Sequence, residues 1–379
     1  VEVLLLPDGV KDVNEFFSMG KTLEEFDELK RVPLDIFVLD MLLAKCDSVL
    51  AEKHVVEEYA KTVSDNLTLL AISKTLSRRW EMDEKAVQDF LHVSQIGVAL
   101  DEDLKDPEQC LAETIKMLKE PVMQYGLMPL DNGIRGAGRR KDVTIVGGCS
   151  GSGKTFMTVG MAADMAVRQR KHIIYFSMEM SAGALYERVL GYLLQRSSDV
   201  VDQMILEGDS LVYNVLDKLK EYIYVVDKNG LTIQEIDAYV KDANAKKFDG
   251  QLDCIFIDYI QYMKGCAEYQ VLAETAKGLK PLAKDNNIHV VCLSQLNRGV
   301  MPWEKPDMGK LKGGGDIEAS ADEILLLWRP GKDPALLPEE AEDKKNIVMV
   351  GIGKARNGAR IEEAEMRLDV ERSRIVPIS

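Results

Sequence analysis

A strand, a glycine-rich turn and a helix in succession constrain this chain more than any other stretch of its 379 residues. Val143–Val146 is an apolar run of strand length. It leads into Gly148-Cys-Ser-Gly-Ser-Gly-Lys-Thr155 and then into Phe156–Val167, a helical stretch rich in Ala and Met. The spacing G-x-x-x-x-G-K-T in that setting is a phosphate-binding loop. Glycines let the backbone amides curl around an anion, and the helix N-terminus adds partial positive charge. The candidate nucleotide contacts are Gly148, Ser150, Gly151, Ser152, Gly153, Lys154 and Thr155. Lys154 is expected to reach the β- and γ-phosphates and the Thr155 hydroxyl to hold Mg²⁺. A nucleoside triphosphate is the expected ligand.

A chain of this length holds two or three domains at about 100–200 residues each. No apolar run approaches the roughly 20 residues needed to span a bilayer. Val1–Leu6 is too short and lacks the basic flank of a signal peptide. The chain opens with Val, so an upstream portion is an expectation. The six cysteines (Cys46, Cys110, Cys149, Cys254, Cys266, Cys292) include no C-x-x-C, which argues against a zinc site or a disulfide framework and suits a reducing cytosol. Cys254 and Cys292, inside apolar runs, read as small core residues. The net charge of −15 argues against nucleic-acid binding only if it is spread evenly. Residues 1–120 hold 14 Lys and Arg against 26 Asp and Glu, a balance of −12, which leaves −3 for residues 121–379. The later part is therefore free to carry a local basic surface.

In the first third, Glu2–Leu6 reads as a short strand and Pro7-Asp8-Gly9 as a turn. Asp12–Glu15 opens a short helix that Gly20 ends, and Thr22-Leu-Glu-Glu25 is a capping box. From Pro33 to about Leu91 the apolar spacing is helical, with Ile36, Leu39, Leu42, Leu43, Leu67, Leu70, Ile72 and Leu76 as candidate core. Residues 97–110 read as an acidic linker, and Leu111–Leu118 as a short helix.

After the phosphate loop, strands (172–177, 222–226, 254–257, 289–293, 324–328) alternate with helices (183–195, 233–245). This pattern predicts an α/β fold with a mostly parallel sheet and ligands at the carboxyl ends of its strands. Asp258 ends one strand, as a second Mg²⁺ anchor would. Glu179 follows another, placed either to polarise an attacking water or to cap a helix. Gln295 ends a third and is suited to sense the γ-phosphate. The loop 299–315 is rich in Gly and Lys. Lys310 and Lys312, with the amides of Gly313, Gly314 and Gly315, are candidate contacts to nucleic-acid phosphates, and Arg298 beside them joins that set. A solvated surface loop is the alternative reading. Ile347–Gly358 reads as a strand entering a turn at Asn357-Gly358, with Lys354 and Arg356 on one face.

Two resemblances follow from these residues. Leu6-Pro-Asp-Gly-Val-Lys-Asp-Val-Asn-Glu-Phe-Phe17, followed by helices, resembles the end of the toprim domain of DnaG-type primases and the helical subdomain after it, over residues 1–96. An unrelated helical interaction domain is the alternative. The catalytic Glu and Asp-x-Asp segments of that family fall outside these residues, so primer synthesis is not expected. Residues 121–379 resemble the RecA-like motor of DnaB-family replicative helicases. The motifs are Gly148–Thr155, Ser177-Met-Glu-Met-Ser181, Ile257-Asp-Tyr-Ile-Gln261, Leu293-Ser-Gln-Leu-Asn-Arg298, Asp316–Asp322 and Lys354-Ala-Arg-Asn-Gly358.

The second resemblance implies a RecA-like P-loop NTPase domain behind a smaller, mainly helical domain, joined by a linker and linker helix at 97–120. It implies a cytoplasmic, ring-forming homo-hexamer that uses ATP and Mg²⁺ to move on single-stranded or forked DNA. Glu179 becomes the catalytic base, Asp258 and Thr155 the metal residues and Gln295 the phosphate sensor. Lys354 and Arg356 would reach a neighbour's γ-phosphate. Lys264–Leu272 is shorter than the family's DNA-facing loop. Primase or a helicase loader are the expected partners of the acidic N-terminal part, an arrangement similar to bacteriophage primase-helicases. The alternatives are a RecA- or KaiC-like ATPase that does not unwind, and an ATP-switched loader or regulator.

Overall fold

A computed structural model describes residues 2–7, 9–63, 65–92, 105–120, 122–135 and 138–378. The chain divides into two compact units, Val1–Glu120 and Pro121–Ser379. The part of the expected linker that covers 97–104 lies outside the described residues, as does the side chain of Leu67.

In the first unit β1 (Glu2–Leu4) pairs antiparallel with β2 (Arg31–Pro33). No sequence pattern marks the second strand, because three residues ending in Pro carry no period. Helices Leu34–Leu43, Val49–Ala60 and Asn66–Trp80 follow, with helical residues at 84–92. They close over Ile36, Leu39, Leu43, Val56, Ile72 and Leu76. Two expected core residues lie elsewhere: Leu42 is half-buried and Leu70 is 41 % exposed. The capping box at Thr22 and Glu25 forms as expected. The last helix begins earlier than expected, at Pro107, because Asp106 and Gln109 make a second capping box and Pro107 occupies the first turn. The helix runs to Lys119 and buries none of its side chains.

Among the described residues the second unit is built on nine strands: β3 (Val143–Gly148), β4 (His172–Ser177), β5 (Ile223–Asp227), β6 (Leu252–Asp258), β7 (His289–Gln295), β8 (Glu323–Trp328), β9 (Ile347–Ala355), β10 (Glu363–Asp369) and β11 (Arg374–Pro377). Their order is β11-β10-β9-β8-β3-β7-β6-β4-β5. The six strands from β8 to β5 are parallel, and β9, β10 and β11 continue the sheet antiparallel.

Every residue of β3 and of β6 is buried, as a strand with helices on both faces requires. Each buried Val, Ile or Leu contributes roughly 1.5–3 kcal/mol relative to exposure. The two faces form separate apolar layers, one around Val146, Tyr175 and Phe256, the other around Ile145, Ile257 and Cys292. Cys254 and Cys292 are buried, as read from their setting. Helices Ser198–Leu206 and Ser210–Leu219 and strands β10 and β11 add to the elements expected from the sequence.

Register sets what meets at the sheet's carboxyl edge. Gly148 is level with Gln295 on one side and Leu327 on the other, and Ser177 is level with Asp258.

Candidate active site

The phosphate loop leaves β3 through two glycines in close quarters. A Cβ on Gly147 would lie 2.6 Å from Leu311, and one on Gly148 would lie 2.4 Å from the Ser152 hydroxyl. Gly151 and Gly153 take φ of +70° and +101°, open to glycine at no steric cost. Gly153 caps the helix Lys154–Val167 without a side-chain hydrogen bond, so the first-turn amides stay available to an anion. Lys154 is 8 % exposed and folds back on its own loop, donating to Gly148 O at 2.8 Å and Cys149 O at 3.0 Å. Burial lowers its pKa, and Asp258 nearby opposes that shift. A phosphate in the loop would replace those carbonyls as the acceptor.

Around this loop the fold gathers Ser150, Gly151, Gly153, Lys154, Thr155, Glu179, Asp258 and Gln295 into one cleft. Ser152 is buried inside the loop, its hydroxyl without a partner among the described residues. Glu179 is exposed, in the bend after β4, and the helix that follows is capped by Ser181 rather than by Glu179. Asp258, at the end of β6, is 2 % exposed. Burial raises its pKa to about 6, against the favourable Thr155 and Tyr175 hydroxyls. Its Oδ2 accepts from Tyr175 at 3.2 Å, and its Oδ1 has no hydrogen-bond partner among the described residues. A buried carboxylate oxygen without a partner, beside a Thr hydroxyl and a phosphate loop, fits Mg²⁺. That ion takes oxygen ligands, commonly one or two carboxylates plus substrate phosphates. No group of three or more His, Cys, Asp or Glu that would form a protein-only cage occurs among the described residues.

Four residues beyond those expected also line the cleft: Phe156, Met180, Arg188 and Tyr259. The Arg188 guanidinium stands over the Phe156 ring at 4.9 Å, one cation more than the loop supplies. Gln295 donates from Nε2 to the Tyr259 hydroxyl at 2.8 Å. Its backbone N–H donates to Gln261 Oε1 at 3.1 Å, while Gln261 Nε2 donates to Lys312 O at 3.2 Å. One amide thus ties the end of β7 to the following loop. Gln261 ends the Ile257-Asp-Tyr-Ile-Gln261 motif, but only the long-range contact reveals its use. Lys332 reaches Gly151 O at 3.4 Å.

The loop 299–315 is less free than its composition implied. Leu296 bridges Leu311, Asn297 N–H donates to Lys310 O at 2.8 Å and Lys312 N–H to Gln295 O at 2.9 Å. These bonds fold it back on β7. Lys312, Gly313 and Gly314 line a second groove with Asn297 and Tyr269. Arg298 and Lys310 are exposed but do not line that groove. One expected amide is already engaged, since Gly314 N–H donates to Leu311 O at 2.8 Å. Gly313 is buried, with φ of +106°. In Lys264–Leu272, Cys266 is buried and the helix Tyr269–Asp285 starts within the segment.

Lys354 and Arg356 lie elsewhere. The end of β9 is level with Glu323 at the start of β8, and Glu323 is level with Thr144, four residues before Gly148. At about 3.3 Å per residue this puts them at the opposite end of the sheet from their own phosphate loop. Lys354 donates to Glu318 O at 2.6 Å, and Arg356 pairs with Asp322 at 3.0 Å. Burial lowers the Lys354 pKa, and the neighbouring Arg356 adds to that shift.

Residues 123–375 match the model of the DnaB-like helicase C terminal domain. The "Probable plasmid replicative DNA helicase" of Chlamydia muridarum (strain MoPn / Nigg) is 30 % identical over 199 residues, 48 % of this chain and 42 % of that protein. The "Replicative DNA helicase DnaB" of Pasteurella multocida (strain Pm70) is 31 % identical over 232 residues, 57 % of this chain and 47 % of that protein. The chain thus spans less than half the length of either relative. Among solved structures, "The Structure Of A DnaB-Like Replicative Helicase And Its Interactions With Primase" covers 97 % of this chain and 87 % of that one. Its TM-score is 0.64 at 18 % identity, a likeness of fold. On the match over residues 123–375, with the phosphate loop and its carboxylates in place, the chain belongs to the DnaB-like helicase C-terminal domain family.

Proposed function

We propose that this chain is the motor of a replicative DNA helicase, a ring of identical subunits that hydrolyses ATP at subunit interfaces, translocates on single-stranded DNA and opens duplex at a fork. One observation carries the reading. Lys154, Thr155, Glu179, Asp258 and Gln295 surround a cleft at one end of the sheet, while Lys354 and Arg356 stand at the other. A second copy presenting its β9 end to the first copy's cleft supplies two cations beyond Lys154 and Arg188. Such head-to-tail contacts form a ring when the rotation between copies closes and a filament when it does not; a closed hexamer is the assembly proposed.

In this reading Lys154 neutralises charge on the β- and γ-phosphates, and Thr155 and Asp258 hold Mg²⁺. Held by Thr155 and Asp258, Mg²⁺ would supply positive charge against the charge that develops on the phosphates. Glu179 accepts the proton of the attacking water. Gln295 donates to the γ-phosphate, and Gln261 relays its position to Lys312. Lys312, Arg298, Lys310 and the amides of Gly313 and Gly315 contact phosphates of the strand, which position it without reading sequence. The setting is the cytoplasm of a bacterial or phage-infected cell.

For the first unit, the β1–β2 pair followed by a helical core supports the reading as the piece that follows a toprim sheet in primase-helicase fusions. It would act as an acidic collar for a neighbouring subunit, a primase or a loader. The 97 % coverage by the DnaB-like helicase structure favours a second reading, a helical interaction domain of the helicase itself.

The test is direct. With Mg·ATP the full chain should hydrolyse ATP faster with single-stranded DNA, separate a forked duplex and show the solution mass of a hexamer. A fork left intact despite brisk DNA-stimulated hydrolysis would overturn the unwinding claim.

A further inference from the structure

We infer that Tyr175 is a positioning residue for Asp258: its hydroxyl fixes one carboxylate oxygen so that the other is presented to the metal. The inference rests on the reading of Asp258 and Thr155 as the metal pair.

Tyr175 lies in β4 between Ile174 and Phe176 and is 1 % exposed. It is level with Phe256 of β6, and the two rings stack with centroids 5.4 Å apart and planes 4° from parallel. A ring clamped in this way leaves its hydroxyl one location. That location is 3.2 Å from Asp258 Oδ2 and 2.9 Å from the Thr158 hydroxyl. An ionised carboxylate only accepts, so Tyr175 is the donor to Asp258. Thr158 is on the helix that follows the phosphate loop, one turn beyond Lys154 and Thr155. The phenol therefore joins that helix to the carboxyl end of β6.

Burial alone does not call for this hydroxyl. Phenylalanine would fill the same space and stack equally well on Phe256. The hydroxyl adds a restraint on Asp258 that leaves Oδ1 without a hydrogen-bond partner among the described residues. Hydrogen bonds to a ligating carboxylate orient it, and their loss typically costs about 10–100-fold in metal affinity.

The experiment is a titration of the full chain with Mn²⁺ in the presence of ADP, following free Mn²⁺ by electron paramagnetic resonance. It compares the parent with Tyr175→Phe, Thr158→Val and Asp258→Asn. Tyr175→Phe should weaken Mn²⁺ about 10-fold while ADP binding in EDTA is unchanged. Asp258→Asn should weaken it at least as much, and Thr158→Val should match the parent because Tyr175 keeps its contact with Asp258. If Asp258→Asn weakens Mn²⁺ binding and Tyr175→Phe does not, the positioning role is overturned and the reading of Asp258 stands. If Asp258→Asn has no effect, both fall. An equal loss in Thr158→Val, or a parallel loss of metal-free ADP binding in Tyr175→Phe, would assign the effect to packing and overturn the inference.

Discussion

Arg356 donates to Asp322 Oδ1 at 3.0 Å, and the Arg356 backbone N–H donates to Asp322 O at 2.9 Å. Asp322 is 2 % exposed, whereas half of the Arg356 side chain (51 %) is open to solvent. Asp322 also accepts from Lys280 at 2.6 Å and from Val143 N–H at 2.8 Å. The carboxylate is therefore held independently of the arginine, and the half-exposed guanidinium, which also donates to Ala319 O at 3.4 Å, keeps donors to spare. An arginine held this way suits delivery across an interface.

Arg356→Ala is accordingly expected to keep the fold and nucleotide binding while losing turnover by about 10³-fold or more. Lys154→Ala loses turnover for the opposite reason, an impaired phosphate loop. Mixed oligomers of the two variants should regain hydrolysis that neither has alone, because some interfaces pair an intact loop with an intact arginine. Mixed oligomers of parental size with no recovery would count against delivery in trans.

The parts of this arrangement differ in how far local sequence specifies them. Gly148–Thr155 was legible because its turn depends on glycine conformations and a helix start, both local. Asp258 and Gln295 were legible because each ends an apolar run, and the parallel sheet puts such ends together. The remoteness of Lys354 and Arg356 from their own loop was not, since it depends on β9 running antiparallel to β8, a pairing without a local signature. Tyr175 read as one more aromatic in a buried strand, and only its distance to Asp258 distinguishes it. The Asp106 capping box could have been found from Asp-Pro-x-Gln alone; the acidity around it suggested a linker instead.

Glu179 stands in the cleft without capping the helix that follows it, so its removal should fall on chemistry. Glu179→Gln is expected to reduce turnover about 10²–10⁴-fold with Mg·ATP affinity within a few-fold of the parent. Single-turnover hydrolysis and nucleotide titration separate the two effects. Parental turnover in the variant would remove Glu179 from the base role.

The Gln261 amide bonds both the Gln295 backbone and the Lys312 carbonyl. Gln261→Ala should therefore lower the ratio of DNA-stimulated to basal hydrolysis. Alanine at Lys312 should weaken DNA binding and reduce its salt dependence. Steady-state hydrolysis against single-stranded DNA concentration, at two salt concentrations, measures both. An unchanged stimulation ratio in Gln261→Ala would show that this contact does not transmit between cleft and groove.

A last expectation concerns a buried acid outside the cleft. Glu323 is 1 % exposed; its Oε2 accepts from the Tyr125 hydroxyl and, at 3.2 Å, from Thr144, while its Oε1 has no partner among the described residues. Burial raises its pKa from 4.5 to about 7, eased by the Tyr125 and Thr144 hydroxyls and increased by Asp142 and Asp322. A folded-state pKa above the unfolded one means that the folded chain holds the proton more tightly. That contribution is complete below about pH 4.5 and is lost as pH rises to about 7, at up to about 1.4 kcal/mol per pH unit. His289, in the same network through Thr144 at 3.3 Å, has its pKa lowered by burial to about 4. Its contribution has the opposite slope, with stability rising between about pH 4 and 6.5. Comparing Glu323→Gln with the parent isolates the acid, because His289 titrates in both. The variant should gain on the parent as pH rises from 5 to 7 and hold a constant advantage above that. Urea unfolding at pH 5, 6, 7 and 8 measures this directly, and stability differences that do not vary with pH would show that Glu323 is ionised in the fold throughout.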